Sequence, residues 1–405
     1  MTSPRFTLDG SAALEAHLAR VCEQVRAGVQ ALVPASQLDA VLLGGGYGRG
    51  EGGVLRTPAG DAPYNDLESF VFVRGNAVLA ERTYRQPLHE LGERLSPDAG
   101  LEVEFKVITL DKLRRSGPSM FYYDLVLGHR WLVGDEALLA GCEHHRQASR
   151  IPLHEATRLL MNRCSGLLFA LERLLRKDFT DADADFVGRN LAKAQLALGD
   201  VRLAAQGQYH WSCRERHARL TQLAAAAGTP ALPISNFKFQ ISAGGAGPAA
   251  GAPLADLLRH HAAGVAFKLH PIRSHEPRTA LAARHAELCA LGRQLWLWLE
   301  ARRLGTPFAT PRHYADSRLD KCPETSPTRN RLVNLRAFGT AAVLGPRSGR
   351  YPRQRLYHAL CLLLWAGDPP PDAAWWRAVQ TELHTTTHDF PGLVDAYARL
   401  WSRFN

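Results

Sequence analysis

Directly after the apolar run Val41-Leu42-Leu43 the chain reads GGGYGRGEGG, so that seven of the eleven residues from Leu43 to Gly53 are glycine. Neither a helix interior nor a paired strand suits that density, because glycine loses the most backbone freedom on folding and brings no side chain to pack. The spacing therefore predicts a short strand that stops at Leu43 in a tight, irregular bend. Such a bend lets backbone N–H groups come close to a polyphosphate, and a helix starting near Gly48 would aim its N-terminus at the same anion. Phosphate cradling by Gly44, Gly45, Gly46, Tyr47 and Gly48 is the natural use of the segment. It is not a Walker loop, since no Gly-Lys-Ser/Thr follows. The GxGxxG formed by Gly48, Gly50 and Gly53 lacks a surrounding βαβ unit.

A second strand is expected over Leu67–Val73, after the turn-forming Pro63-Tyr64-Asn65. At its start Asp66 and Glu68 are two apart, so their side chains share one face and Leu67 takes the other. Adjacent carboxylates repel unless a cation neutralises them. Mg²⁺, a hard ion that prefers oxygen ligands and holds phosphate oxygens, is the natural choice. After a helix predicted over Arg82–Leu95, residues Leu101–Ile108 read LEVEFKVI. That alternation sets Leu101, Val103, Phe105 and Val107 against Glu102, Glu104 and Lys106. Glu104 or Glu102 supplies a third acid, able to activate an incoming hydroxyl or to ligate a second ion. These are the parts of an in-line displacement at phosphorus.

The order of strand, GG-Y-G-RGE, NDLE and a later strand with a further acid resembles the nucleotidyltransferase superfamily with the DNA polymerase beta fold. The resemblance is to the branch containing the aminoglycoside adenylyltransferases, and it covers about residues 35 to 220. Gly45, Gly46, Asp66, Glu68 and Glu104 match the family's motif, although Gly46 stands where serine is common and Glu68 where aspartate is commoner. The resemblance implies transfer of a nucleoside monophosphate, AMP from ATP foremost, to a hydroxyl-bearing acceptor, with Mg²⁺ held by Asp66, Glu68 and Glu104. It also implies charge compensation at the phosphates by Arg49 or Lys193. Of acceptors, a small molecule is favoured over a protein or a tRNA. Arg189, Lys193 and Asp200 fall on one polar face of their helix, Asp124 and Asp135 read as helix caps, and Gly52 to Pro63 reads as a Gly- and Pro-rich flap.

From Tyr122 onward the apolar spacing is helical, with long stretches over Leu153–Arg176, Phe186–Ala205 and Thr279–Arg303. The expected fold class is thus α+β: an N-terminal polymerase-beta-like domain over 1–140, a small mixed sheet with helices, then a mostly α-helical domain over 141–405. A Gly/Pro-rich joint at 228–253 would subdivide the latter. Seven scattered cysteines without a CxxC pair argue against a disulfide framework or a zinc ribbon. No apolar stretch approaches the ~20 residues of a bilayer span, and MTSPRFTLDG has no apolar signal core, which points to the cytoplasm and to no membrane partner. The net charge of +10 favours anionic partners. It leaves open two other classes, a nucleotide-binding regulator without catalysis and an RNA-binding or RNA-modifying protein.

Overall fold

The computed structural model describes residues 5–228, 252–340, 348–366 and 372–405; residues 229–251 of the expected joint lie outside them. Two compact units are present, Met1–Pro152 with Gln206–Gln222 and Ala262–Ile272, and Leu153–Ala205 with Leu223–His261 and Arg273–Asn405. A single cut near residue 140 is what a linear reading can draw, whereas the first unit also takes in two segments that return to it later in the chain.

The first unit is α+β. Helix α1 (Ala12–Leu32) begins at Ser11, whose hydroxyl accepts from Leu14 N, and buries Leu14, Leu18, Val21, Val25 and Val29 at helical spacing. Strand β1 (Leu38–Leu43) runs into a single helical turn, α2 (Gly45–Gly48). The hairpin β2 (Val54–Thr57) and β3 (Gly60–Pro63) follows, then β4 (Leu67–Val73). Helix α3 (Ala77–Ala99) is capped by Asn76 and stopped by Gly100 in the left-handed region; it carries the chain across to β5 (Val103–Ile108). Helices α4 (Leu110–Arg115) and α5 (Met120–Leu127) and strand β6 (Arg130–Val133) complete the core.

The sheet order is β5-β4-β1-β6, with β1 antiparallel to β4 and β6, and β4 parallel to β5. A parallel neighbour requires a crossover, which the 23-residue α3 supplies. On one face Val41, Leu43, Leu67, Val71 and Val103 pack with α1 and α3; on the other Ala40, Leu42, Phe70, Phe72 and Ile108 pack with Leu113, Leu125 and Val126. Burial on both faces explains why residues 40–43 of β1 and 70–73 of β4 read as unbroken apolar runs. Strand β6 interrupts the helical reading after Tyr122: four residues, each half-buried, are too few to show a period.

The second unit is helical in the described residues. Its longest elements are α6 (Leu153–Leu175), α7 (Asp181–Ala205) and Arg278–Leu304. Its core holds the fully buried Glu300, which accepts from Thr157 Oγ1 (2.7 Å), Tyr314 OH (2.8 Å) and Arg303 (2.6 and 2.8 Å). The fully buried Lys321 lies 4.7 Å from the Tyr314 ring centroid and donates to Ser317 Oγ. All seven cysteines are free thiols. Among the described residues no helix is long and apolar enough to cross a membrane.

Burial, aided by the Arg350 and Arg303 charges and opposed by Glu300, pulls Lys321 from 10.5 to about 8. Between those values the unfolded chain binds the proton that the folded chain has shed, so stability rises with pH across that window and carries a penalty of about 3 kcal/mol below it. Urea unfolding at pH 7 and pH 10 should show this rise in the wild type and its loss in Lys321→Met; parallel pH profiles for the two would refute the assignment.

Candidate functional site

The bend after β1 folds back on the strand that produces it. Gly48 N donates to Gly44 O (2.9 Å) and Glu51 N to Gly46 O (2.9 Å). A Cβ at Gly48 would lie 2.2 Å from the Leu43 carbonyl oxygen, so no larger residue fits there. At Gly45 φ is +61° and a Cβ would lie 2.9 Å from Glu68 Oε2, so the turn and the first acidic strand are in direct contact. Gly44 N donates to Glu68 O (2.8 Å), fixing that contact through the backbone as well. The helix expected to begin near Gly48 is instead the one turn that ends there, and Gly50, with φ +73°, directs the chain away. The first amides of that turn, Gly45 to Tyr47, are those a helix start leaves without an i−4 acceptor.

Tyr47 is fully buried. Its hydroxyl donates to Gly53 O (3.0 Å) and accepts from Tyr64 N (2.9 Å), while Asn65 Oδ1 accepts from Gly53 N (3.0 Å). Burial pushes the phenol up to about 12, which keeps it a donor across the physiological range. The Gly- and Pro-rich flap is therefore a β-hairpin with both ends of its base tied to the bend. Tyr47 is a structural staple in that tie.

Parallel pairing places Glu68 opposite Glu104 and Leu67 opposite Val103, while Phe105 and Val107 join the α1–α3 side of the sheet. Glu68, Glu104 and Lys106 share the other face. Lys106 Nζ lies 3.0 Å from Glu68 Oε1, 3.7 Å from Glu104 Oε2 and 5.6 Å from the Phe70 ring centroid. Burial raises the Glu104 pKa; Lys106 opposes the rise and the charges of Asp66, Glu102 and Glu68 add to it. For Lys106 burial acts downward, but the charge and hydrogen bond of Glu68, with Glu104 and Asp66, carry its pKa up. Asp66, exposed just before β4, belongs to this charge cluster through its action on both groups, and Glu102 is exposed at the mouth of β5.

Among the described residues no group of three or more His, Cys, Asp or Glu is disposed to hold a metal ion by itself. The closed triad expected of Asp66, Glu68 and Glu104 is in this state a carboxylate pair bridged by an ammonium, with Asp66 at its rim. Two register-paired carboxylates repel, and Lys106, on the same face two residues after Glu104, supplies the neutralising charge. The donor set still suits Mg²⁺, which is commonly held by one or two carboxylates plus phosphate oxygens and water, and the ammonium marks a cation position between the two acids.

The RGE part of the bend has a different task. Arg49 Nη2 pairs with Asp124 Oδ2 (2.9 Å) and Nη1 donates to Trp211 O (3.3 Å), and Tyr209 OH donates to the same Asp124 oxygen (3.1 Å). Asp124 lies inside α5, so it is an ion-pair partner and not the cap expected of it. Asp135 does cap, accepting from Ala137 N (2.9 Å). Glu51, 5% exposed, accepts from Ser212 Oγ (2.5 Å) and Cys213 N (2.9 Å) at the start of α8 (Cys213–Gly228). Burial opposes its charge, but those donors and Arg216 outweigh burial and hold its carboxyl below the usual range. Arg49 and Glu51 thus clamp the segment that returns to the first unit.

Beside the bend, on its β6 side, is a cavity of about 350 Å³ walled by Arg5, Arg49, Gly50, Arg130, Trp131 and Trp211. Arg49 and Arg130 each keep a buried Nε without a protein partner there. Leu43 pairs with Arg130 in β6 and with Ser69 in β4, so the acids and this cationic, aromatic cavity occupy the same end of the sheet, with β4 and β6 about 10 Å apart across β1. No motif in the sequence marks Arg130, Trp131 or Trp211. Lys193 lies in the second unit, exposed on α7, and Asp200 of the same helix is buried with His261 Nε2 3.0 Å from its Oδ1, so the single polar face expected of Arg189, Lys193 and Asp200 is not formed. Compared with protein-family models, curated proteins and solved structures, the chain matches none.

A lowered carboxyl pKa adds stability above the unfolded value near 4.5, and this is lost as pH falls through the folded value. Glu51→Gln should cost about 1 kcal/mol at pH 7, with the deficit shrinking toward acid pH. Urea titrations of both proteins from pH 7 downward test this, and a deficit that is constant with pH would show that Glu51 acts by packing alone.

Proposed function

We propose that the first unit is a Mg²⁺-dependent nucleotidyltransferase that moves a nucleoside monophosphate, AMP from ATP foremost, onto a hydroxyl of a small-molecule acceptor with release of pyrophosphate. The observation that carries this reading is the parallel pairing of Glu68 with Glu104 directly against Gly44 and Gly45 of the bend. Carboxylates beside backbone donors are the groups that a triphosphate and its counter-ion would use together. The order of motifs in the sequence, which resembles that of the polymerase-beta-like superfamily, supports the reading, and the reading uses first-unit residues alone.

In this reading Asp66, Glu68 and Glu104 would hold the ion, which would neutralise the triphosphate and support pyrophosphate as a leaving group. The amides of Gly45, Gly46 and Tyr47 would face phosphate oxygens, and Arg5 and Arg130 make the adjoining cavity attractive to an anion, Arg49 there being paired with Asp124. Glu104, its pKa raised by burial and neighbouring acids, is suited to take the proton of the acceptor hydroxyl. The acceptor oxygen then forms the new bond to the α-phosphorus as the bond to pyrophosphate breaks, with the proton left on Glu104. A second reading, a nucleotide-binding regulator without turnover, is favoured by one observation: Lys106 already neutralises both Glu68 and Glu104.

Asp66→Asn and Glu68→Gln should each abolish Mg²⁺-dependent pyrophosphate release while leaving the circular dichroism spectrum and melting temperature within a few degrees of wild type. Glu104→Gln should lower turnover about 100-fold, the scale of a lost general base, and Glu102→Gln by less than about threefold. Pyrophosphate detection over a panel of hydroxyl acceptors reads all four variants. The reverse ranking of Glu104 and Glu102 reassigns the base, and ATP-Mg²⁺ binding without pyrophosphate release from any acceptor selects the regulator.

A further inference from the structure

We infer that Lys106 is a tethered counter-cation that exchanges with the divalent ion at Glu68 and Glu104, holding the two acids together until the ion displaces it. The inference deepens the proposed function and rests on its assignment of a metal to these acids. Strand register forces the two carboxylates side by side, and the ammonium stands within 3.0 and 3.7 Å of them. A lysine and a divalent ion cannot both occupy that position, because their charges repel and the carboxylate oxygens facing it are shared.

Three features suit Lys106 to leave and return. Its side chain is 44% exposed, with the ammonium 5.6 Å from the Phe70 ring centroid at the sheet surface, so the head can swing without unpacking the sheet. On the far side of β5 a second cavity, of about 400 Å³, is walled by Lys106 together with Glu81, Arg85, Lys112, Phe121 and Tyr122 and gives a displaced ammonium room, Glu81 there being paired with Arg85 (3.8 Å). Residue choice points the same way. Of 49 basic residues only seven are lysine, yet a lysine stands here. A guanidinium would grip the carboxylates through a planar fork, whereas an ammonium is a compact point charge that is readily exchanged.

Manganese titration of the full chain followed by electron paramagnetic resonance tests the exchange. Lys106→Met, which keeps an unbranched side chain and removes the competing charge, should bind Mn²⁺ roughly tenfold more tightly than wild type, and Lys106→Arg no more tightly than wild type. Independently, after reductive ¹³C-methylation of the lysines, Mg²⁺ should shift the Lys106 methyl resonance of the wild type, and Glu68→Gln should abolish the shift. Equal Mn²⁺ affinity of wild type and Lys106→Met, tighter binding by Lys106→Arg, or a Lys106 resonance that ignores Mg²⁺ would overturn the exchange and leave the metal assignment standing. Absence of Mn²⁺ binding from wild type and Lys106→Met alike, up to millimolar concentration, would overturn the metal assignment beneath it.

Discussion

The chemistry available to this protein depends on one pairing, the parallel register that sets Glu68 of β4 beside Glu104 of β5. Two carboxylates side by side on neighbouring strands, both partly withdrawn from water, repel each other and require a positive charge. The chain meets that requirement internally with Lys106. The pairing cannot slip by one residue without turning Phe70 and Phe72 out of one core and Val71 out of the other, so packing on both faces of the sheet keeps the acids in place.

The glycine bend performs two tasks that compete for the same residues. Gly44 and Gly45 bring backbone against Glu68, and Gly48 lets the chain double onto the end of β1, where any side chain would collide with the Leu43 carbonyl. The charged members of the motif face away from that contact. Arg49 and Glu51 engage Asp124, Trp211, Ser212 and Cys213, so a segment some 160 residues downstream is held by the bend itself. A motif that reads as a ligand loop is at the same time the clamp that makes the first unit discontinuous in sequence.

Much of this was legible in the chain. The apolar runs of β1 and β4 are strong because both sheet faces are covered, and the alternation of β5 shows because its acids must face outward. Strand β6 was hidden by its length, and with it Arg130 and Trp131, since four half-buried residues carry no measurable period. Asp124 was read as a cap because local spacing says nothing of an ion-pair partner 75 residues away. Helical angles put Asp200 on one polar face with Arg189 and Lys193 but cannot reveal that His261 packs over it.

Local chemistry was enough to determine a strand that must stop at Leu43, a same-face pair in Asp66 and Glu68, and an alternating strand presenting Glu104 and Lys106, because glycine entropy and two-residue periodicity act within a few residues. Tertiary structure alone decided that β4 and β5 lie parallel and in a register that opposes the acids, that Lys106 bridges them, and that Arg49 and Glu51 are spent on a returning segment. Those outcomes depend on which surfaces meet across many residues, and the free energy that selects them, burial on both faces of one sheet, belongs to no single stretch of the chain.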